Sequence, residues 1–488
     1  MEQRLQEIEK IIQGGPYKDD WDSLGQVQIP EWFSQVKFGI FIHWGLYSIP
    51  AHGNEWYARN MYIQGREEWE YHRKVYGDHT KFGYKDFIPM FRAENFHPEE
   101  WAALIKASGA GYAFPVAEHH DGFQMYRSRI SRYNVYNMGP HRDILGELKT
   151  AFEKQGIHFC TSSHRAEHWF FMGHGREFSS DVREPMQRGD FYWPAMEEPE
   201  HEDLKSSPYP DEEFLSDWLV RTCELVDEYS PDLLYFDWWI QHEAFKPYLK
   251  KAAAYYYNKC ADAGKKGAIC YKHDAMAFGS GIPDVERGSF GEAKPYLWQT
   301  DTSVARNAWC YTDTLKYKNS GELIRVLIDT VSKNGNLLLN IGPKGDGSIP
   351  ETDRKILQEI GNWLSVNGEA IYGSHVWRVS SEGPTKTAEG QFTDGSAVEY
   401  QENDFCFTAR GSSIYVFIMK YPENGKIAVH ALRDSENQNR PDFHGLIQSV
   451  VLLGSEAHLQ WYTDSQAMHV WLPEGKREYP AVIRITVK

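Results

Sequence analysis

Three short segments constrain this chain most: Lys37-Phe-Gly-Ile-Phe-Ile-His-Trp-Gly45, Glu118-His-His-Asp-Gly-Phe123 and Leu233-Leu-Tyr-Phe-Asp-Trp-Trp239. In each, an apolar run meets polar side chains capable of chemistry. A parallel strand covered on both faces reads as a continuous apolar run. In a barrel of such strands the active site collects at their C-terminal ends. The three segments therefore read as barrel strands whose ends open into a cavity.

The rest of the chain up to about residue 375 supports that frame. Strand-like runs at 38–43, 112–117, 157–163, 232–237, 267–272, 297–301 and 336–341 alternate with helical patterns at 98–109, 143–155, 212–229, 246–263, 321–334 and 352–366. Alternation of this kind implies parallel strands joined by crossover helices. Chemistry at the strand ends favours a (β/α)8-like TIM barrel over an open sheet. No GxGxxG opens a helix, which weakens a nucleotide-binding reading. Seven strands are assigned and the eighth is left open. After Ser374 the texture changes to short runs such as Phe405-Cys-Phe-Thr-Ala409 and Ser413-Ile-Tyr-Val-Phe-Ile418, set between Gly, Asn and Asp turns. The expected division is a catalytic α/β barrel over 1–375 and an all-β sandwich over 376–488. Residues 172–211 form a long insertion, of a length that usually marks a functional lid or disorder. Its acidic run Glu197-Glu-Pro-Glu-His-Glu-Asp203 reads as a solvated face.

Composition narrows the function. With 488 residues the chain is too long for one ordinary core. The net charge of −17 argues against nucleic acid, whose phosphates need a basic surface, and against an anionic membrane. Aromatic residues make up 15%, which suits a carbohydrate binder because sugar C–H faces stack on rings, although large cores also use Trp and Tyr. The six cysteines form no CxxC pair and read as buried thiols. No run of 18 apolar residues exists to span a membrane. Met1-Glu-Gln-Arg-Leu carries no apolar leader, so a cytoplasmic location is expected, with secretion left open should a leader have been removed. Homo-oligomerisation is also left open.

The order and wording of these motifs, from about Trp32 to about Gly373, resemble the family 29 glycoside hydrolases, the retaining α-L-fucosidases. Asn336-Leu-Leu-Leu-Asn-Ile-Gly-Pro-Lys-Gly-Asp346 is a further family hallmark, read as a buried strand and a Gly-Pro turn. The resemblance implies hydrolysis of terminal α-L-fucosyl linkages of oligosaccharides or glycoconjugates, without cofactor or metal. Retention of configuration requires an ionised carboxylate and a protonated carboxyl roughly 5–5.5 Å apart.

The resemblance makes Asp237, at the end of Leu233-Leu-Tyr-Phe236, the nucleophile; on residues alone it could equally cap a helix. It places the acid/base in Gly281-Ile-Pro-Asp-Val-Glu-Arg-Gly-Ser-Phe290, read as a loop. Glu286 is the first candidate there, with Glu292 and Asp284 as rivals. Arg287 beside it could depress a pKa that a general acid needs raised. His43, His119, His120 and Glu55 match residues that bond sugar hydroxyls, and Trp56 matches a pocket wall. His-His-Asp could also suggest a metal, but adjacent residues on an extended segment point to opposite sides. Phe41, Tyr235 and Trp309 are the candidates for the apolar patch beside the fucose methyl group. Two departures stand out. Cys160-Thr-Ser-Ser-His-Arg-Ala-Glu-His-Trp169 lacks a Tyr that many relatives carry, and Cys270-Tyr-Lys-His-Asp274 lacks an Arg. His164, Lys272 and His273 are the substitutes present. The competing readings are a catalytically inactive sugar-binding protein on the same scaffold and a glycosidase for a galacto-configured sugar.

Overall fold

The computed structural model of the chain describes residues 1–183, 185–200, 204–435, 437 and 439–488. Residues 201–203 of the acidic run lie outside the described residues. Eight parallel strands form a closed ring. They are β1 (Phe38–Ile42), β2 (Tyr112–Glu118), β3 (His158–Phe159 and Thr161–Ser163, either side of Cys160), β4 (Leu233–Phe236), β5 (Ala268–Tyr271), β6 (Ile282–Glu286), β7 (Trp298–Ser303) and β8 (Gly335–Ile341). β1 pairs with both β8 and β2, so no edge is left open. The strand left unassigned is β6, inside the segment expected to be a loop. Five residues with a Pro and two acids carry no apolar run, because Asp284 and Glu286 point into the barrel where Val285 points out.

Inward positions alternate along each strand. Phe41, Tyr112, Phe114, Cys160, Tyr235, Cys270, Ile282 and Leu338 pack into one interior cluster. Gly39 belongs to this filling: a Cβ there would lie 2.3 Å from the Tyr112 ring. The same parity carried to the strand ends sends His43, Asp237, Lys272 and Glu286 to the mouth.

The N-terminal helix α1 (Glu2–Gly14) packs on the outer layer. That layer contains α2 (Pro98–Ala107), α3 (Ile144–Lys154), α4 (Glu212–Tyr229), α5 (Lys246–Asp262), α6 (Ser320–Ser332) and α7 (Glu351–Asn367), all six where the apolar spacing puts helices. Among the described residues, no helix separates β5 from β6 or β6 from β7. No helix of the described residues is long and apolar enough to cross a membrane.

The C-terminal region forms two antiparallel sheets. One contains β9 (His375–Glu382), β10 (Phe405–Arg410), β11 (Ser413–Ile418), β13 (Ile447–Leu452) and β16 (Ala481–Val487). The other contains β12 (Lys426–Val429), β14 (Gln460–Thr463) and β15 (Met468–Trp471). They share a core that includes Phe407, Val416, Ile427, Val470 and Ile483. The barrel holds this module through polar as well as apolar contacts: Trp363 Nε1 donates to Pro480 O at 2.8 Å and Arg325 Nε to Met419 O at 2.9 Å.

Between β2 and β3 the pairing shifts register between Val116 and Glu118. Beyond that shift Glu118 joins a buried ionic network. Arg165 bonds Glu118 at 2.6 Å and Asp217 at 2.9 Å, and Arg221 bonds Asp217 at 2.7 Å and Glu118 at 3.2 Å. The network ties the ends of β2 and β3 to α4. Glu118→Ala leaves two buried guanidiniums with one carboxylate, so unfolding in urea should cost about 3–5 kcal/mol less than for the parent chain. Glu118→Gln should lose less. A loss under about 1 kcal/mol for the Ala variant, the size of a surface pair, would contradict the role.

Candidate active site

The strand ends enclose a cleft of ≈ 660 Å³. Asp237, Glu286, His43, Glu55, Trp56, His119, His120, Phe41 and Trp309 line it, together with His164, Lys272, Asp301 and Trp238. Tyr235 does not. It is fully buried below the floor, where its hydroxyl donates to Asp301 Oδ2 at 3.0 Å and its ring meets Phe41 edge-on.

The centre of the site is a buried cation shared by carboxylates. Lys272 Nζ lies 2.6 Å from Glu286 Oε2, 3.1 Å from Asp237 Oδ1 and 3.6 Å from Asp301 Oδ2. One ammonium bonded to both places Asp237 and Glu286 within reach of the roughly 5–5.5 Å separation that retaining pairs use. Asp237 also takes a 2.7 Å bond from His164 Nδ1, whose Nε2 lies 2.9 Å from Ser162 Oγ. Trp238 Nε1 donates to Glu286 Oε2 at 2.8 Å.

The two carboxyls are driven in opposite directions. Burial pushes Asp237 up, but Lys272, His164 and His120 overcome it and hold its pKa well below the usual carboxylate range. Burial pushes Glu286 up to about 7; Lys272 opposes this, while Asp301 and Asp237 add to it. Lys272 itself is held charged: burial lowers its pKa, but the carboxylates around it raise it well above the ordinary value. Arg287 does not disturb Glu286. Its guanidinium turns away to bond the carbonyls of Ala305 and Ala308 at 3.2 and 3.3 Å and lies 4.5 Å over the Trp309 ring. Among the rivals, Glu292 is exposed and outside the cleft. Asp284 is buried deeper in the barrel, accepting from Gln299 Nε2 at 2.8 Å.

The histidines form one aromatic cluster. His119 and His120 were expected to diverge, yet their rings lie 4.3 Å apart and both face the cleft. The strand ends at Glu118 and the chain turns at His120, so alternation no longer applies. His43 Nδ1 is 2.7 Å from Asn340 Oδ1, and His120 Nδ1 is 2.7 Å from the His164 carbonyl. Burial lowers the pKa of His43 and His119 well below the ordinary value, and that of His120 to about 3. The three rings are therefore neutral, each with donor and acceptor capacity. His43, His119 and His164 could offer nitrogens to a metal, as could His120, His164 and Asp237. Both nitrogens of His164 are already engaged, which leaves neither set three free ligands, short of an ordinary protein zinc site.

Glu55 Oε2 accepts from the Trp309 backbone N at 2.9 Å, joining two walls. Three lining features carried no sequence signal. Glu198, in the run read as a solvated face, binds Arg59 through both oxygens at 2.6 and 2.7 Å, lies 3.0 Å from His174 and lines the cleft. Asp301 lies within the polar strand β7. Phe392 arrives from beyond the barrel.

A barrel mouth with two carboxyls on one cation, one ionised and the other near neutral pH, is the equipment of a glycoside hydrolase. The comparison with known proteins is specific. The sequence matches the family Alpha-L-fucosidase over residues 4–369 and Alpha-L-fucosidase C-terminal domain over residues 399–486, and the chain belongs to the α-L-fucosidases, the family 29 glycoside hydrolases. Human tissue alpha-L-fucosidase is 31% identical over 480 residues, 97% of this chain and 91% of that one. Human plasma alpha-L-fucosidase is 31% identical over 83% of this chain and 79% of its own. The crystal structure of Thermotoga maritima alpha-fucosidase superposes with a TM-score of 0.73 at 29% identity, covering 96% of this chain and all of that one. The same enzyme in complex with fucose gives 0.72.

Removing the shared cation tests the geometry. In Lys272→Met the carboxyl of Asp237 loses its main lowering influence, so the acid limb of the pH–rate profile for an aryl fucoside should move upward. The maximal rate should fall by about 10²-fold, the scale of losing one electrostatic contact at a reacting centre. An unmoved acid limb would show that Lys272 does not set the charge of Asp237.

Proposed function

We propose that the protein is a retaining exo-α-L-fucosidase that releases terminal fucose from oligosaccharides or glycoconjugates through a fucosyl-Asp237 intermediate. The observation that carries this reading is the opposed protonation of Asp237 and Glu286 across Lys272. An ionised carboxylate is the nucleophile that attacks the anomeric carbon. A carboxyl still protonated near neutrality is the acid that gives its proton to the departing glycosidic oxygen.

The same electrostatics support the second half of the reaction. Asp237 loses its charge on forming the ester, and with it goes one of the influences that keep Glu286 protonated. Glu286 then suits the role of base, taking a proton from the water that attacks the anomeric carbon. The carbon is inverted twice, and the sugar leaves with its original configuration. Neutral His43, His119 and His120, with Glu55, supply the mixed donors and acceptors that a row of sugar hydroxyls requires. Phe41 and Trp309 provide apolar surface for the methyl group. A galacto-configured sugar would bring a hydroxymethyl group to that surface, which argues for fucose. An inactive sugar-binding protein has no need of the strained charge balance around Lys272.

Asp237→Gly should abolish hydrolysis of aryl α-L-fucosides while the fold persists. Azide should restore turnover and give the β-fucosyl azide, because the small anion attacks from the vacated face. Near-parental hydrolysis by this variant would remove Asp237 from the mechanism.

For the parent enzyme, kcat/KM should fall as pH rises through about 7, where Glu286 loses the proton it must donate. In Glu286→Gln this basic limb should vanish. Substrates with poor leaving groups should suffer far more than aryl fucosides with good ones. If Glu292→Gln shows that leaving-group dependence instead, the acid/base is Glu292.

A further inference from the structure

The general acid must reach the glycosidic oxygen, so whatever sugar or other group leaves with that oxygen must sit beside Glu286. Two aromatic rings border that place. Trp238 is hydrogen-bonded to the Glu286 carboxyl. Phe392 comes from the segment between β9 and β10, after the barrel is complete. Its backbone N donates to Glu286 O at 2.9 Å. The two rings are close to parallel, 10° apart in orientation, with centroids 6.2 Å apart.

That spacing excludes a sugar between them, because a pyranose sandwiched by two rings needs about 3.5–4 Å of contact on each side. The rings form one apolar ledge, open to the cleft. Phe392 is 56% exposed, whereas the other cleft aromatics are buried or half-buried among the described residues. It is also held at φ +55°, a left-handed conformation that bulky side chains rarely adopt. Such backbone persists where its surroundings over-determine it, and it clusters at functional positions.

The surroundings do so here. Thr393 N donates to Arg287 O at 2.8 Å, and Gly390 and Ser289 exchange backbone bonds of 2.9 and 3.2 Å. Asp394 accepts from Thr302 Oγ1 at 2.5 Å and pairs with buried Lys318 and with Arg287. Gly288 lets the segment approach: a Cβ there would lie 1.9 Å from Gly390 O. The segment is thus a strap, riveted to the strand that carries Glu286 and presenting a single exposed ring.

We infer that Phe392 and Trp238 form the binding ledge for the leaving sugar, so that the strap from beyond the barrel sets preference for substrates whose aglycone is a pyranose with an apolar C–H face. This rests on the fucosidase reading. A pyranose face on an aromatic ring gains apolar contact without a directional bond. The ledge therefore favours the class of aglycone and leaves the fucose ring to the histidine cluster.

The test compares Phe392→Ala and Phe392→Tyr with the parent enzyme on two substrates. One is whichever fucosyl disaccharide the parent cleaves fastest among the available linkages. The other is α-L-fucosyl fluoride, whose leaving group has no ring and needs no acid. Phe392→Ala should lower kcat/KM for the disaccharide roughly tenfold, mostly through KM, and leave that for the fluoride unchanged. Inhibition by free fucose should also be unchanged, and Phe392→Tyr should restore disaccharide cleavage. An equal loss on the fluoride, or weakened fucose inhibition, would overturn the proposal by showing that the strap shapes the fucose pocket. Unchanged disaccharide cleavage by Phe392→Ala would overturn it as well. Turnover of the fluoride by the parent enzyme is the separate control, because its failure would strike the fucosidase reading itself.

Discussion

The site depends on one buried ammonium. Taking Lys272 out of water costs several kcal/mol, and only closely placed carboxylates offset that cost. Asp237, Glu286 and Asp301 do so from just past β4, from the end of β6 and from within β7, around a cation that stands just past the end of β5. The requirement is geometric before it is chemical. Four neighbouring strands must bring residues of the same inward parity to one height, which a closed, tilted barrel supplies and an isolated loop does not. One cation cannot neutralise three carboxylates, and the surplus negative charge is most cheaply relieved by a proton. Lys272 and His164 favour ionised Asp237, while burial raises the pKa of Glu286 to about 7. In the proposed mechanism, nucleophile and acid are thus different states of one charge cluster.

The histidine side of the cleft follows a different rule. Four rings, those of His43, His119, His120 and His164, gather within 4.3 to 5.7 Å of their neighbours. Charged rings at that density would repel, and burial already disfavours the charged form of His43, His119 and His120. Three of the rings are oriented by a fixed partner: Asn340 for His43, the His164 carbonyl for His120, Asp237 and Ser162 for His164. His119 Nδ1 is buried without a protein partner. A neutral ring with one unmet polar atom suits a ligand that is itself uncharged and rich in hydroxyls.

Much of this was legible in the residues. Apolar runs marked seven of the eight strands and periodic apolar faces marked six helices, because those elements are buried on a regular face. Asp237 and His43 were legible because each ends such a run. What escaped lacked that contrast. The strand Ile282–Glu286 is acidic on its inner face, since its work is to hold charge near Lys272, so it read as a loop. Glu198 looked like one more solvated acid because its partners Arg59 and His174 lie far from it in sequence. The convergence of His119 and His120 depends on where β2 stops, to within a single residue. Phe392 sits among polar residues, and nothing local ties it to a site built on strands that all precede it by more than fifty residues.

The missing crossover helices explain why the C-terminal region reaches the site at all. A parallel barrel normally buries its outer face under one helix per strand. Here β5, β6 and β7 follow one another without helices, which leaves β6 and its continuation open to another element. The strap after β9 takes that place, pairing Gly390 with Ser289 and setting its backbone on Glu286 and Arg287. A helix at this position would pack side chains against the strand and stay behind the barrel wall. An extended strap pairs backbone to backbone, runs along the strand to its end, and so can deliver a side chain over the rim. The β-sheet module that follows anchors the strap's far end through β10, which packs on α6. The C-terminal sheets thus hold one edge of the cleft in place.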